Sequence, residues 1–205
     1  MTTRAVARGV DVAPIAKQGQ VAGSAKFDAL MLIPCFWLLG GGYLDGWAHN
    51  HIRLETFFTP WHAVLYSGLL AVLAFHFGAL VINHRKGYAW QYAMPVGYGL
   101  SLLGILGFAM GGVGDMIWHT LFGIELNIDG VFSPTHLALV CCITLIVSGP
   151  FRAAWHRSSS GTQSSFLELL PMIISLTFIL SSITLISQLA HPFVLLWPEG
   201  HQQMP

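Results

Sequence analysis

The sequence predicts an all-α integral membrane bundle: about five transmembrane helices, arranged as two parallel hairpin repeats plus one extra helix. Three observations carry this. Of 205 residues, 54% are hydrophobic and only 9% charged, where soluble domains carry about 25% charged residues. Five apolar runs, at about 28–48, 60–82, 93–118, 133–155 and 166–190, each come near the ~20 residues that cross a bilayer. A motif is also written twice, as GGYLDGWAHNHIRLETFFTPWH from Gly41 to His62 and as GGVGDMIWHTLFGIELNIDGVFSPTH from Gly111 to His136.

In chain order, residues 1–26 are polar and small, with no apolar stretch of the kind a signal peptide needs, and read as a disordered cytoplasmic tail. A single bundle follows over 27–192. Its first repeat covers about 28–82, its second about 93–155, and the fifth helix about 166–190; residues 193–205 form a tail on the outer side. Arg4, Arg8, Lys17, Lys26, Arg85, Lys86, Arg152 and Arg157 fall on one side of these spans and only Arg53 on the other. The excess of positive charge marks the cytoplasmic side. The N-terminus is then inside, the C-terminus outside, and both motif loops face outward from a bacterial inner membrane. Repeats with the same orientation are related by an axis along the membrane normal. Gly97, Gly99, Gly104, Gly107 and Gly111 give the third span small residues that let helices approach closely in lipid.

The balance of charge excludes some classes. Formal net charge is zero and no basic patch forms, which argues against a nucleic-acid partner. Cys35, Cys141 and Cys142 lie in apolar runs without a CxxC pattern and read as buried small hydrophobes.

The chemistry lies in the repeated motif. Asp45 and Asp115, His49 and His119, and Glu55 and Glu125 are each 70 positions apart, and His62 and His136 are 74 apart. Asp45 and His49 are spaced i, i+4 and share one helix face. Thr59-Pro60 starts the next helix, with Thr as N-cap and Pro at N1, so His62 sits in its first turn. Ser133-Pro134 repeats the device ahead of His136. Each copy thus offers an Asp and two His, a workable three-ligand metal site. Imidazole and carboxylate suit copper, zinc or iron, and the sequence alone does not choose among them. Glu55 and Glu125 are read as orienting a histidine N–H from outside the ligand set, or as facing solvent, in preference to direct ligation.

The window from Asp45 to His62, ending in Phe-Thr-Pro-x-His, resembles the metal-site region of the C subunit of the particulate methane monooxygenase and ammonia monooxygenase family. By that resemblance Asp45, His49 and His62 bind copper at the membrane. His119 and His136 match the family's downstream site, with Asp115 where the family has Asn, and Glu55 and Glu125 match a recurring acidic residue. The resemblance covers two short windows in a chain shorter than the family subunit, without the family's soluble cupredoxin part. The expected function is a copper-dependent, monooxygenase-like membrane oxidoreductase or a subunit of one. It would work with partner subunits or as a homo-oligomer, and take electrons from a quinol or an electron-donor protein. The alternatives are a non-enzymatic copper-handling protein, a zinc-dependent membrane hydrolase and a purely structural subunit.

Overall fold

The computed structural model describes residues 19–52, 56–123, 133–159 and 165–189. Six helices carry them: α1 (Ala25–His51), α2 (Pro60–Arg85), α3 (Gly99–Phe122), α4 (Pro134–Val147), α5 (Gly149–Ser159) and α6 (Phe166–Leu189), with a short 3-10 turn at Trp90–Tyr92. Among the described residues there is no strand, only an isolated bridge between Val21 and Pro95. Five spans, with α4 and α5 counted as one, are long and apolar enough to cross a membrane. Their outward surface carries Ile33, Phe36, Leu103, Leu106 and Met110, the last 76% exposed. So much exposed apolar surface is stable only against hydrocarbon. The protein is therefore an integral membrane helix bundle, as the composition predicts.

Glycine sets the spacing of the hairpins. A Cβ on Gly41 would lie 2.7 Å from Leu65 Cα, and one on Gly68 equally close to Leu38 Cα, so α1 and α2 touch backbone to backbone. In the second hairpin a Cβ on Gly104 would lie 2.9 Å from the Cys142 carbonyl oxygen. The repeat extends to the contacts: Gly111, the counterpart of Gly41, faces Leu139, the counterpart of Leu65. α6 packs on α1, α4 and α5. Of the cysteines, Cys35 is buried, Cys142 partly so, and Cys141 faces outward.

The fourth span is not continuous. Gly149-Pro150 interrupts it, because Pro150 has no N–H to give Ile146 and disfavours helical geometry just before it. Neighbouring helices supply what the break removes. Ser101 Oγ of α3 donates to the Ile146 carbonyl at 3.2 Å. Ser175 Oγ of α6 donates to the Val147 carbonyl at 2.6 Å and accepts from Phe151 N at 3.1 Å. The serine hydroxyl thus stands inside the interrupted i, i+4 ladder. Such satisfaction is obligatory where no water is at hand.

A polar lock closes this end of the bundle. Asp28, fully buried near the start of α1, accepts from Tyr98 Oη at 2.6 Å and pairs with Arg157 of α5 at 2.5 Å. Burial, and then the Asp28 carboxylate beside it, push the Tyr98 phenol well up, which keeps it a donor. Arg152 Nε donates to the Gly97 carbonyl at 2.8 Å. Gly97 is held at φ +95, and a Cβ there would lie 2.5 Å from Ala153 N, so no other residue fits. This turn delays α3 to Gly99, past the expected start at 93. Residues 1–18 of the expected tail lie outside the described residues. From Val21 on the chain is tied down, with Val21 N donating to the Tyr92 carbonyl at 3.1 Å and its own carbonyl accepting from Val96 N at 3.0 Å.

Ser175→Ala should strand the Val147 carbonyl and the Phe151 N–H together. The expected loss is about 1–3 kcal/mol for each unmet group, seen as a lower melting temperature in detergent, whereas the outward-facing Thr177→Ala should change it little.

Candidate metal centre

Helix ends place every candidate ligand. Asp45 and His49 project from one face of the last turns of α1, with His49 Nε2 at 3.9 Å from Asp45 Oδ2. Thr59 caps α2 by accepting from His62 N at 3.3 Å, with Pro60 in the first helical position, as the sequence predicts. His62 Nδ1 donates to the Phe57 carbonyl, and the Phe57 ring stacks on the imidazole at 4.5 Å between centroids. With one nitrogen so committed, His62 Nε2 faces Asp45 Oδ1 at 3.2 Å.

The second copy follows the same plan. Ser133 accepts from His136 N at 3.2 Å at the start of α4. His119 Nδ1 donates to the Gly123 carbonyl at 3.3 Å, at the turn where Gly123 ends α3 with φ +84. His119 Nε2 and His136 Nε2 each stand 3.5 Å from Asp115 Oδ1. A carbonyl behind an imidazole is the usual device that aims its other nitrogen at a metal.

The two copies converge on one chamber. The His49 ring lies 6.0 Å from His62, 5.9 Å from His119 and 5.2 Å from His136, centroid to centroid, and so joins the first hairpin to the second. Ligand atoms of Asp45, His49 and His62 lie within 4.8 Å of one another, and so do those of His49, His119 and His136. His49 belongs to both groups. Asp115, only 1% exposed, borders the second group.

Within this chamber Asp45 Oδ1, both ring nitrogens of His49, His62 Nε2 and His119 Nε2 are buried without a hydrogen-bond partner. Unmet polar atoms of this kind each cost about 1–3 kcal/mol. Nitrogen and carboxylate lone pairs converging at these distances are what a metal cation satisfies, so the residues fit the group the sequence anticipates.

Side chains that the motif reading passed over shape the chamber. Thr135 Oγ1 donates to Asp115 Oδ1 at 2.7 Å. It occupies the unspecified position of Pro-x-His, where the first copy has Trp61, and only comparison of the two copies at that position marks it. Tyr66, one turn after His62, presses its hydroxyl on α3, where a Cβ on Gly112 would lie 2.5 Å from it. The counterparts in the other interface are Val140 for Tyr66 and Gly42 for Gly112. Valine lacks the ring that would cover Gly42, and a small recess with a cavity volume of about 60 Å³ remains. Gly42, Gly46, Val140, Ile143 and Leu185 line it, and Asp45, His49 and His136 also border it. His51 takes no part; its Nδ1 donates to the Trp47 carbonyl at 2.8 Å and its ring stacks on that indole. Glu55 and Glu125 lie outside the described residues.

Comparison of the chain with protein-family models, with curated proteins and with solved structures finds no match.

Thr135→Val keeps the shape but leaves Asp115 without its hydroxyl donor. In metal-free protein the expected loss is about 1–3 kcal/mol, read from thermal unfolding in detergent. Thr120→Val, whose hydroxyl bonds only the Met116 carbonyl on an exposed face, serves as the control.

Proposed function

We propose that the chain is a copper-dependent, monooxygenase-like oxidoreductase of a bacterial inner membrane, or the metal-holding subunit of one. The observation that carries this reading is the convergence of buried nitrogen and oxygen atoms of Asp45, His49, His62 and His119, none of them hydrogen-bonded, beside an apolar recess. A structural role alone would not call for so many unmet donors and acceptors in a membrane bundle. The resemblance of the Asp45–His62 window to the C subunit of methane and ammonia monooxygenases supports copper over zinc or iron. Eight of nine Lys and Arg residues on one side of the spans support a cytoplasmic N-terminus and an outward-facing chamber.

Copper, when bound, supplies the one-electron chemistry that passes reducing equivalents to dioxygen. The chain's own residues do the rest. Asp45, His49 and His62 hold one side of the chamber, and His119, His136 and Asp115 the other. The Phe57 and Gly123 carbonyls fix two of the imidazoles in direction. Gly42 and Gly46 keep the recess open beside Asp45 and His49, and its aliphatic walls favour an apolar molecule over water. Electrons would come from a quinol or an electron-donor protein, since the chain has no flavin, haem or iron–sulfur motif.

Elemental analysis of protein purified from its native membrane should find copper, and Asp45→Ala, His49→Ala and His62→Ala should each lower the content. Oxygen uptake with a quinol should accompany the metal. Zinc without oxygen uptake would favour the hydrolase, copper without turnover would favour a copper-handling protein, and clean protein with no metal would refute the metal reading. Val140→Tyr should fill the recess as Tyr66 fills its counterpart. Metal content should then hold while quinol-dependent oxygen uptake falls by about tenfold or more, the scale of a misplaced substrate.

A further inference from the structure

Repeat positions do not have equal freedom. His119 has its Nδ1 committed to the Gly123 carbonyl and His62 has its own committed to the Phe57 carbonyl, so each offers one nitrogen to the chamber. His49 is different. Both of its ring nitrogens are buried without a hydrogen-bond partner, and the whole residue is only 6% exposed. A neutral imidazole has one N–H and one lone pair, and here neither is met. His49 is also the one residue common to the two groups of candidate ligands. Rings from both hairpins surround it, His62 on one side of the repeat and His119 and His136 on the other.

We propose that His49 is a bridging ligand, an imidazolate shared by two metal ions. One ion is held by Asp45, His62 and one nitrogen of His49. The other is held by His119, His136 and the second nitrogen, with Asp115 beside it. Asp45 Oδ2 lies 3.9 Å from His49 Nε2, which puts that nitrogen on the side of the first ion, and the bridge requires the other nitrogen to serve the second. The balance is simple: binding of the second ion displaces the remaining imidazole proton to solvent, and no oxidant or reductant is consumed. The bridge makes the two ions electronically continuous and different in surroundings, one with carboxylate and imidazole, the other with three imidazoles. This inference rests on the reading that the chamber binds metal, but not on copper being the native ion or on any turnover.

The test uses purified full-length protein in detergent, stripped of metal and titrated with Cu(II). Two copper ions should bind per chain. The integrated paramagnetic resonance signal should fall well below one spin per copper, because an imidazolate couples the two spins. Loading one equivalent of Cu(II) and then Zn(II) should restore a full spin for each copper, a check that needs no variant. His49→Gln should abolish the coupling, and His62→Gln should weaken one ion by about 10–100-fold while the other keeps a full spin. Two copper ions with a full spin each, or saturation at one ion, would overturn the bridge and leave the metal reading standing. Failure to bind either Cu(II) or Zn(II) would overturn both.

Discussion

Backbone contact at glycine is the constraint on which the rest of the structure depends. Within a bilayer the helices gain nothing from hiding apolar side chains from one another, so packing and interhelical hydrogen bonds must hold them together. Gly41 and Gly68 bring α1 and α2 into contact, and Gly104 does the same for α3 and α4. With larger residues the hairpins would splay, and ligand atoms that now lie within 4.8 Å would drift out of reach of one ion. Gly112 acts between hairpins, where the absence of a side chain admits the Tyr66 hydroxyl.

The two ends of the bundle treat buried polar groups differently. At the end where α5 begins and α3 starts, most groups find a protein partner, His76 Nε2 being buried there without a hydrogen bond. Asp28 has Tyr98 and Arg157, and the carbonyls freed by Pro150 have Ser101 and Ser175. At the histidine-rich end the hydrogen bonds stop short. The caps, Phe57 and Gly123 satisfy backbone groups and one nitrogen each of His62 and His119, then leave the inward-facing atoms unmet. A chain able to satisfy an interrupted helix with two serines has the means to satisfy an imidazole. Among the described residues only the second end brings such atoms from several residues within 4.8 Å of one another, and that convergence favours a ligand there.

What the sequence makes legible is local. Span positions follow from apolar runs of sufficient length, and the Thr59-Pro60 and Ser133-Pro134 starts follow from capping, which depends on residues three apart. The interruption at Gly149-Pro150 is also a local signal, but its repair by Ser101 and Ser175 depends on which helices pass nearby. Convergence of the two ligand sets lies beyond the motif altogether. Each copy offers an Asp/His/His set, and the spacing leaves open whether the two sets stay separate or converge, with His49 of one reaching His119 and His136 of the other. That is fixed by how the hairpins pack. Thr135 stays hidden for another reason: a repeat is recognised by what its copies share, and Thr135 is where they differ.

Those differences cluster around the candidate site. Where one copy has Tyr66 over a glycine, the other has Val140 and a recess; where one has Trp61, the other has Thr135 bonded to Asp115; where His119 has a carbonyl behind it, His49 has none. Each departure falls at a position that touches the chamber or the opposing hairpin. The shared residues build two equivalent cradles, and a strictly symmetric pair would hold two equivalent ions with equal access. Unequal residues at the seam instead give one side a bordering recess, the other side a tethered carboxylate, and a single uncommitted imidazole between them. The candidate site is therefore the interface between the repeats, and neither hairpin contains it alone.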